Sequence, residues 1–552
     1  MEGNPQVTKS SETFDYVVVG GGSSGSVVAA RLAQAGADVL LLEAGVSDRR
    51  IDVRIPAAVG IAYQKVNWKY PAEPDPSRTG NPESWMAGKV MGGGGSINSC
   101  VFVRGNRADY DGWAKNGCTG WDYDSVLPAF KRMETWEGGA SELRGGSGPI
   151  SVNVQTNHGQ ANMAYLQACL QAGYPSNPDY NGAHQDGVGL AQVNHRRGTR
   201  SQASREYLRR VAPKGKVSVR THSYVYRILV EHGTAVGVAY RHDGAVKQAR
   251  ARDEVVISAG SIGSPRLLQL SGIGGQRALS DAGVETVLHL PGVGQNLHDH
   301  PYLMQRWRAT IPTINKMRIG TAVKGLVDYV RNGSGLLAMT MVQVQCMARS
   351  DPGLEAPDLQ LQFVPFAITR AVDENGMFNV QQAKEEGFLA SSTFLRPRTR
   401  GSITLRDSAP DSMPRISYQF LADPEDMRDC LRGLRTVQRV MAQPAMAAIT
   451  DGQLEPEAHC STEADWEQYV RGAVTPSYHP VGTCKMGIDD LAVVDPELRV
   501  HGIANLRVAD ASIMPTITTG NTNAPSMMIG ERAAELILGA RRNPTGVTNG
   551  SR

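Results

Sequence analysis

Apolar residues open the chain in two short unbroken runs. Asp15-Tyr16-Val17-Val18-Val19 and Val39-Leu40-Leu41-Leu42 are rich in β-branched and aliphatic side chains, and the apolar stretch of each is uninterrupted. Runs this short and this continuous predict strands covered on both faces, as in a parallel sheet. Between them Val27, Val28, Ala29, Leu32 and Ala33 recur at helical spacing until Gly36. Strand, helix and strand in about 30 residues make a βαβ unit. The pattern returns further on. Asp253-Glu254-Val255-Val256-Ile257-Ser258 predicts a strand running into Ala259-Gly260, with Pro265 suited to a helix start. Tyr224-Val225-Tyr226-Arg227-Ile228 and Leu506-Arg507-Val508-Ala509 predict two more strands. Pro525 is suited to opening a helix through Ile537, with Met528, Ala533, Leu536 and Ile537 apolar. The fold class is α/β.

The turn between the first strand and helix carries Gly20, Gly22 and Gly25 in G-x-G-x-x-G spacing. In such a turn the first glycine permits the bend, the second lets backbone approach a pyrophosphate, and the third lets helix and strand pack closely. The helix N-terminus then offers free N–H groups to phosphate. Glu43 follows Gly25 by 18 residues, near the spacing of the acid that binds a ribose hydroxyl. Its charge disfavours a 2′-phosphate, so NADP is not expected. The motif alone leaves NAD and FAD open. Gly21-Gly22-Ser23-Ser24-Gly25 also spells the G-x-S-x-G of a hydrolase nucleophile elbow. That elbow follows several strands, for which the 22 residues before Ser23 leave no room.

Composition narrows the classes. A chain of 552 residues suggests two to four domains, and 41% hydrophobic with 20% charged residues is ordinary for a globular protein. A net charge of +3 with scattered arginine pairs argues against nucleic acid as the main partner. Seven cysteines, widely spaced and never in C-x-x-C, argue against a disulfide scaffold or a thiolate zinc site. Residues 1–9 carry no apolar stretch behind a basic cluster, and no apolar run approaches the length of a membrane span. A cytoplasmic protein is expected, and peripheral contact with a membrane is compatible with these features. The sequon Asn332-Gly333-Ser334 then reads as chance. The tail at 541–552 is polar and expected to fray.

A second loop, Val90-Met91-Gly92-Gly93-Gly94-Gly95-Ser96-Ile97-Asn98-Ser99, is nearly bare backbone. Four consecutive glycines bury no side chain and lose much entropy on ordering, so contact with something flat or charged is the physical reason to keep them. With this loop the chain resembles the glucose–methanol–choline family of FAD-dependent oxidoreductases, close to its choline dehydrogenases and sorbose-type alcohol dehydrogenases. The resemblance covers about residues 14–538. It includes Asn67-Trp68, Glu73-Pro74, Arg104-Gly105-Asn106, Gly260 to Pro265 and Leu270 to Gly274. It continues through Leu290 to Leu297, Arg400-Gly401, His479-Pro480, Gly482 to Gly487 and Asp510 to Asn523.

The resemblance implies a Rossmann-like FAD-binding domain assembled from discontinuous segments, 1–155, 200–300 and 488–540. It also implies a substrate domain at 156–199 and 301–487, with a largely antiparallel sheet flanked by helices. FAD contacts are implied for Gly20, Gly22, Ser23, Ser24, Gly25, Glu43 and Ala44 in the first turn and strand. Trp68, Met91, Gly92, Gly95, Asn98, Ser99 and Val101 are implied from the second loop and its surroundings. Val225 would meet adenine, Asp510 and Ala511 the ribityl–pyrophosphate region, and Asn521 the catalytic end. Some relatives attach FAD through a histidine in the second loop; here that position is Ile97, so non-covalent FAD is expected.

The implied reaction is oxidation of an alcohol to an aldehyde or ketone. A carbinol hydride leaves for the flavin while the hydroxyl proton needs a base. The resemblance makes His479 that base and Asn521 its partner, a position held by His or Asn in the family. An amide can hydrogen-bond the substrate oxygen but cannot take its proton, so His479 is the sole acceptor of the pair. Asn523 is either a support for Asn521 or a turn residue. Cys484 is expected to pack. His298-Asp299-His300 resembles a metal cluster, but no third ligand lies nearby in sequence, and a structural role is expected there, with no metal. Tyr478, Phe363 and Phe366 are candidates to line a substrate pocket. No set of aromatics plus an acid forms a cage for a quaternary ammonium, so a primary or sugar-like alcohol is expected rather than choline. A dehydrogenase passing electrons to a quinone or dye is expected first, with an oxidase that reduces oxygen to peroxide as the alternative; sequence does not separate them. A flavin-containing lyase and a non-enzymatic flavin-binding module are the other readings. Oligomeric state is not legible.

Overall fold

The computed structural model describes residues 12–79, 83–156, 158–211, 216–317, 319–372, 378–456 and 460–542. The opening residues 1–11 and the polar tail beyond 542 lie outside them.

Two seven-stranded sheets organise the chain. In the first, strands Lys216–Arg220, Asp38–Leu42, Glu12–Val19 and Ala245–Ile257 run parallel in that order. Val17 sits opposite both Leu40 and Val255, and all three are fully buried. That is the outcome the unbroken apolar runs predict, because neither face of such a strand can meet water without loss. Ala245–Ile257 is longer than its sequence suggested. Its first half pairs antiparallel with Thr234–His242, which pairs in turn with Ser223–Glu231. Its last three residues pair parallel with Leu506–Val508, so a strand from the end of the chain completes this sheet.

Helix Ser23–Gln34 packs against Asn523–Arg542 and Ala203–Val211. Buried Glu531 holds the three together, accepting 2.7 Å bonds from Arg31 and from the Tyr207 hydroxyl. The helix after Ile257 spans Gly260–Leu270, so Pro265 lies inside it rather than at its start. A proline there cannot donate to the carbonyl four residues back. That carbonyl, on Ser261, accepts instead from the Thr483 hydroxyl at 2.6 Å. Likewise Pro525 is the third residue of its helix, not the first.

The second sheet is antiparallel throughout. Its main order is Thr450–Glu455, Pro301–Ala309, Gly387–Phe394, Leu359–Val364, Val344–Ala348, Gly187–Leu190. One face is apolar (Trp307, Val344, Cys346, Leu359, Leu361, Phe363, Phe388, Ala390) and is covered by helices Gln160–Gln171 and Pro424–Met441. The other face carries Gln345, Gln360, Gln362, Ser391 and Thr393, all buried. A third core ties Tyr70 and Trp85 to Ile416, Tyr418, Phe420 and Leu434. No helix among the described residues is long and apolar enough to cross a membrane.

Candidate active site

An elongated cavity runs from the first glycine turn to His479. At one end lie Gly20, Gly22, Ser23, Glu43 and Ala44, with Ser223, Tyr224 and Val225 beside them; at the other lie Tyr478, His479, Pro480 and Asn521. The three motif glycines do three different things. Gly20 has φ +99°, and a Cβ on it would stand 2.3 Å from the Ser258 carbonyl oxygen. A Cβ on Gly25 would stand 2.0 Å from the Gly20 oxygen, so that glycine lets helix and turn touch. A Cβ on Gly22 would meet nothing closer than Gly93 Cα at 4.0 Å, so only what enters the cavity gives this position a reason to be bare.

The second loop lies directly against the first. The Gly92 N–H donates to the Gly21 oxygen at 2.7 Å, and Gly93, Gly94 and Gly95 face the cavity. The Ser23 hydroxyl donates to Asn523 Oδ1 at 2.7 Å, and the Ser24 hydroxyl to the Ser526 carbonyl at 2.6 Å. Two helix N-termini, at Ser23 and Asn523, thus meet at the cavity wall, an arrangement suited to a pyrophosphate. Asn523 is tied to Ser23, not to Asn521. Glu43 accepts from the Gly21 N–H at 2.9 Å and the Gly45 N–H at 2.7 Å, so its carboxyl fastens the turn while facing the cavity. Burial pushes it up to about 7 despite those two bonds. Asp510 accepts from the Gly260 N–H at 2.8 Å and from the Ser264 hydroxyl at 2.6 Å.

The catalytic end is built on loops. Tyr478 is held at φ +58°, uncommon for a residue with a side chain, and His479 follows it. The His479 backbone N–H donates to Asp299 Oδ1 at 2.9 Å, and the His300 N–H donates to the same oxygen at 2.7 Å. One buried carboxyl therefore fixes both histidine backbones. Burial pushes Asp299 up to about 8, which leaves it largely uncharged at pH 7. The His479 ring lies with Nδ1 3.1 Å from His300 Nδ1 and Nε2 3.1 Å from Asn521 Nδ2. The Asn521 amide donates to Nε2, which leaves the proton of His479 on Nδ1, directed to His300. Burial pushes His479 down to about 4. His300 is held well below its usual range by burial and by His479. His300 Nε2 makes no hydrogen bond of ordinary geometry, although the Leu395 and Thr518 carbonyls lie near enough to favour its proton.

Several sequence expectations fall elsewhere in the molecule. Phe363 does not reach the cavity. It is fully buried on the apolar face of the second sheet, stacked on Tyr165 with ring centroids 4.5 Å apart. Phe366 packs against Met304, Val364, Ile368 and Leu389 instead. For Phe363 the reason is register: Leu359, Leu361 and Phe363 alternate with Gln360 and Gln362, and the glutamines take the face toward Asn521. Gly25, Met91 and Gly92 shape the loops rather than line the cavity. The Met91 sulfur sits behind Gly21, and Gly92 bends the loop at φ +89°. Trp68, Asn98, Ser99, Val101, Val225, Asp510, Ala511 and Asn521 do line it, as does Tyr478. Ile97 is buried among Val53, Ala62, Val66 and Val90. Cys484 is fully buried, and its thiol is raised by burial. His298 bonds Asn296 at 3.1 Å, whereas the His300 ring faces His479. No group of three or more possible metal ligands occurs among the described residues. Residues the sequence did not single out also line the cavity, among them Tyr70, Met86, Arg266 and Thr522.

Comparison with known proteins decides the family. The GMC oxidoreductase N-terminal family model matches residues 14–302, and the C-terminal model matches 397–530. The chain belongs to the GMC oxidoreductase family. It is 39% identical over 538 residues to an oxygen-dependent choline dehydrogenase of Vibrio vulnificus (strain YJ016), covering 95% of this chain and 94% of that protein. It is 37% identical to one from Pseudomonas fluorescens (strain Pf0-1), over 97% and 95%. Among solved structures it resembles pyridoxine 4-oxidase from Mesorbium loti, with TM-score 0.85, 26% identity and coverage of 94% and 98%. It also resembles a formate oxidase of Aspergillus oryzae RIB40, with TM-score 0.88, 25% identity and coverage of 97% and 100%. As a GMC oxidoreductase the protein is an FAD-dependent enzyme acting on CH–OH donors. The bare Gly22, the paired helix N-termini and the cavity's length fit that dinucleotide.

Proposed function

We propose that this enzyme oxidises a neutral primary or sugar-like alcohol and returns the electrons to oxygen. The observation that carries the reading is the pair His479 Nε2 and Asn521 Nδ2, 3.1 Å apart at the inner end of the cavity. An alcohol oxygen entering here replaces the direct bond between the amide and Nε2: it donates its proton to Nε2 and accepts from the Asn521 amide. FAD, when bound, supplies the hydride acceptor. Gly22, Ser23 and the two helix N-termini would hold its pyrophosphate, Val225 its adenine, Glu43 its ribose, and Asp510 with Ala511 its ribityl end. No histidine among the described residues lines the second loop's side of the cavity, which supports non-covalent attachment.

His479 is neutral at physiological pH, so its lone pair is available without prior deprotonation. Asp299 fixes its backbone, and His300 Nδ1 lies where the Nδ1 proton of His479 points. The charge pattern bears on the substrate. The carboxylates lining the cavity among the described residues are Glu43 and Asp510, both fastened to glycine turns. No carboxylate among the described residues lines the His479 end, where a quaternary ammonium would need one. A neutral alcohol therefore suits this chain better than choline, even though similar proteins carry that substrate in their names. The names of the relatives, an oxygen-dependent dehydrogenase and two oxidases, favour oxygen as acceptor. The test is an anaerobic screen of primary alcohols, polyols and choline, following loss of the yellow flavin colour, and then admission of air. A neutral alcohol should bleach the flavin, and air should restore the colour with formation of peroxide. Bleaching by choline alone would overturn the substrate reading, and colour restored only by a quinone or dye would overturn the acceptor.

A further inference from the structure

The orientation of the Asn521 amide decides whether His479 can act as a base, and Asn521 cannot set it alone. With Nδ2 toward His479, the amide donates to Nε2 and keeps the proton on Nδ1. Turned over, Asn521 would present its oxygen to Nε2, which would then have to be protonated and could accept nothing. Gln360, on strand Leu359–Val364, reaches this amide: its Nε2 donates to Asn521 Oδ1 at 3.0 Å. The second N–H of the same group donates to Gln345 Oε1 at 2.9 Å. Gln360 is thus fixed in turn, because flipping it would set its oxygen against two carbonyl oxygens. It is buried, with 1% of its surface exposed, so water does not compete for these bonds.

We propose that Gln360 is a positioning residue of the catalytic site. It holds Asn521 with Nδ2 toward His479 and toward the alcohol oxygen, and so selects Nε2 of His479 as the base. Gln345 serves it as an anchor. The chain of donors runs in one direction, from Gln360 to Asn521 to His479 Nε2, and on the far side from His479 Nδ1 to His300. This inference rests on His479 being the base, and it adds a residue 161 positions from Asn521 that is not among those lining the cavity.

Gln360→Glu and Gln360→Met separate positioning from packing. The ionised carboxylate of Q360E cannot donate, so Asn521 turns its amide toward it and its oxygen toward His479. Once protonated, the same carboxyl can donate, and the native orientation returns. The reading is the limiting rate of anaerobic flavin bleaching by a neutral alcohol, measured from pH 5 to pH 9 on FAD-loaded protein. The wild-type rate at each pH is the reference, because Asp299, pushed up to about 8 and bonded to the His479 backbone, also titrates in this range. Q360E should be slowed about tenfold or more at pH 9 and recover as the pH falls and the buried carboxyl takes up a proton. Q360M should be slowed at every pH with no such recovery. Should Q360E fail to hold FAD, Gln360→Asn replaces it; its amide is one methylene short, and a rate drop like that of Q360M supports the proposal. A wild-type rate and pH profile in Q360E or Q360N, or identical losses without pH recovery in Q360E and Q360M, would overturn it. Failure of wild type to bleach with any alcohol would instead count against the proposed function.

Discussion

One lone pair, on Nε2 of His479, carries the proposed chemistry, and its surroundings set when it is available. Burial holds the imidazole at about 4, below its usual value, so the base is neutral above that value and is lost as the pH falls through it. Below the titration of Asp299, the rate of flavin bleaching should therefore stay level from pH 7 down to about pH 5 and fall only below that; an acid limb centred on the ordinary imidazole range would show a ring that is not desolvated. The resemblance put His479 forward, and it lies on the cavity wall beside Asn521. His300 was not legible as its neighbour, because it stands 179 residues away and reaches His479 only when two loops close on Asp299. The glutamine face was legible in principle. Leu359-Gln360-Leu361-Gln362-Phe363 alternates cleanly, and the alternation assigns Phe363 to the apolar side. Ile97 makes a further statement at this scale. Its aliphatic side chain offers no nucleophile, so acid precipitation should release all the FAD into the supernatant, and colour retained on the pellet would contradict non-covalent binding.

At the scale of elements, glycines in one motif separate into roles that substitution can tell apart. Gly22→Val should leave the fold intact and abolish FAD binding, because the new side chain enters only the cavity. Gly25→Val should lower stability as well, because its Cβ would meet the Gly20 oxygen at 2.0 Å. Flavin content and thermal melting of the two apoproteins distinguish the cases, and a fully loaded G22V would refute the cradle. The Gly260–Leu270 helix gives a second test. Thr483→Val leaves the Ser261 carbonyl without its donor, in a helix where Pro265 cannot supply one. An unpaired buried carbonyl costs about 1–3 kcal/mol, so the denaturation midpoint should fall accordingly; an unchanged midpoint would mean that water or a helix shift replaces the hydroxyl. Sequence located this helix but not its start, since Pro265 looks like an opening residue unless a distant threonine is known to stand in for its missing N–H. The βαβ unit was far more legible, because its strands, turn and helix are all local.

Across the whole molecule, the two ends of the chain converge on one cavity. Gly22 and Ser23 come from the first βα turn, Asp510 and Asn521 from the last segment before the final helix, and the polar face of the second sheet reaches Asn521 through Gln360. A ligand that touches both ends binds the folded state alone, so FAD should raise the melting temperature. At a hundredfold excess over its dissociation constant the gain is about 2.7 kcal/mol. Equal melting of apoprotein and holoprotein would mean that the cavity is not where FAD sits. The family and the fold could be read from motifs along most of the chain. The substrate could not, since it depends on which side chains the second sheet turns toward His479 and on the charge of the groups that line that end. The central claim is that His479 takes the alcohol's proton while hydride leaves carbon. It is tested most directly by single-turnover bleaching of the FAD-loaded His479→Ala variant with a neutral alcohol in the absence of air. The account predicts slowing by about a hundredfold or more at pH 7, with FAD content unchanged; bleaching at the wild-type rate would contradict it.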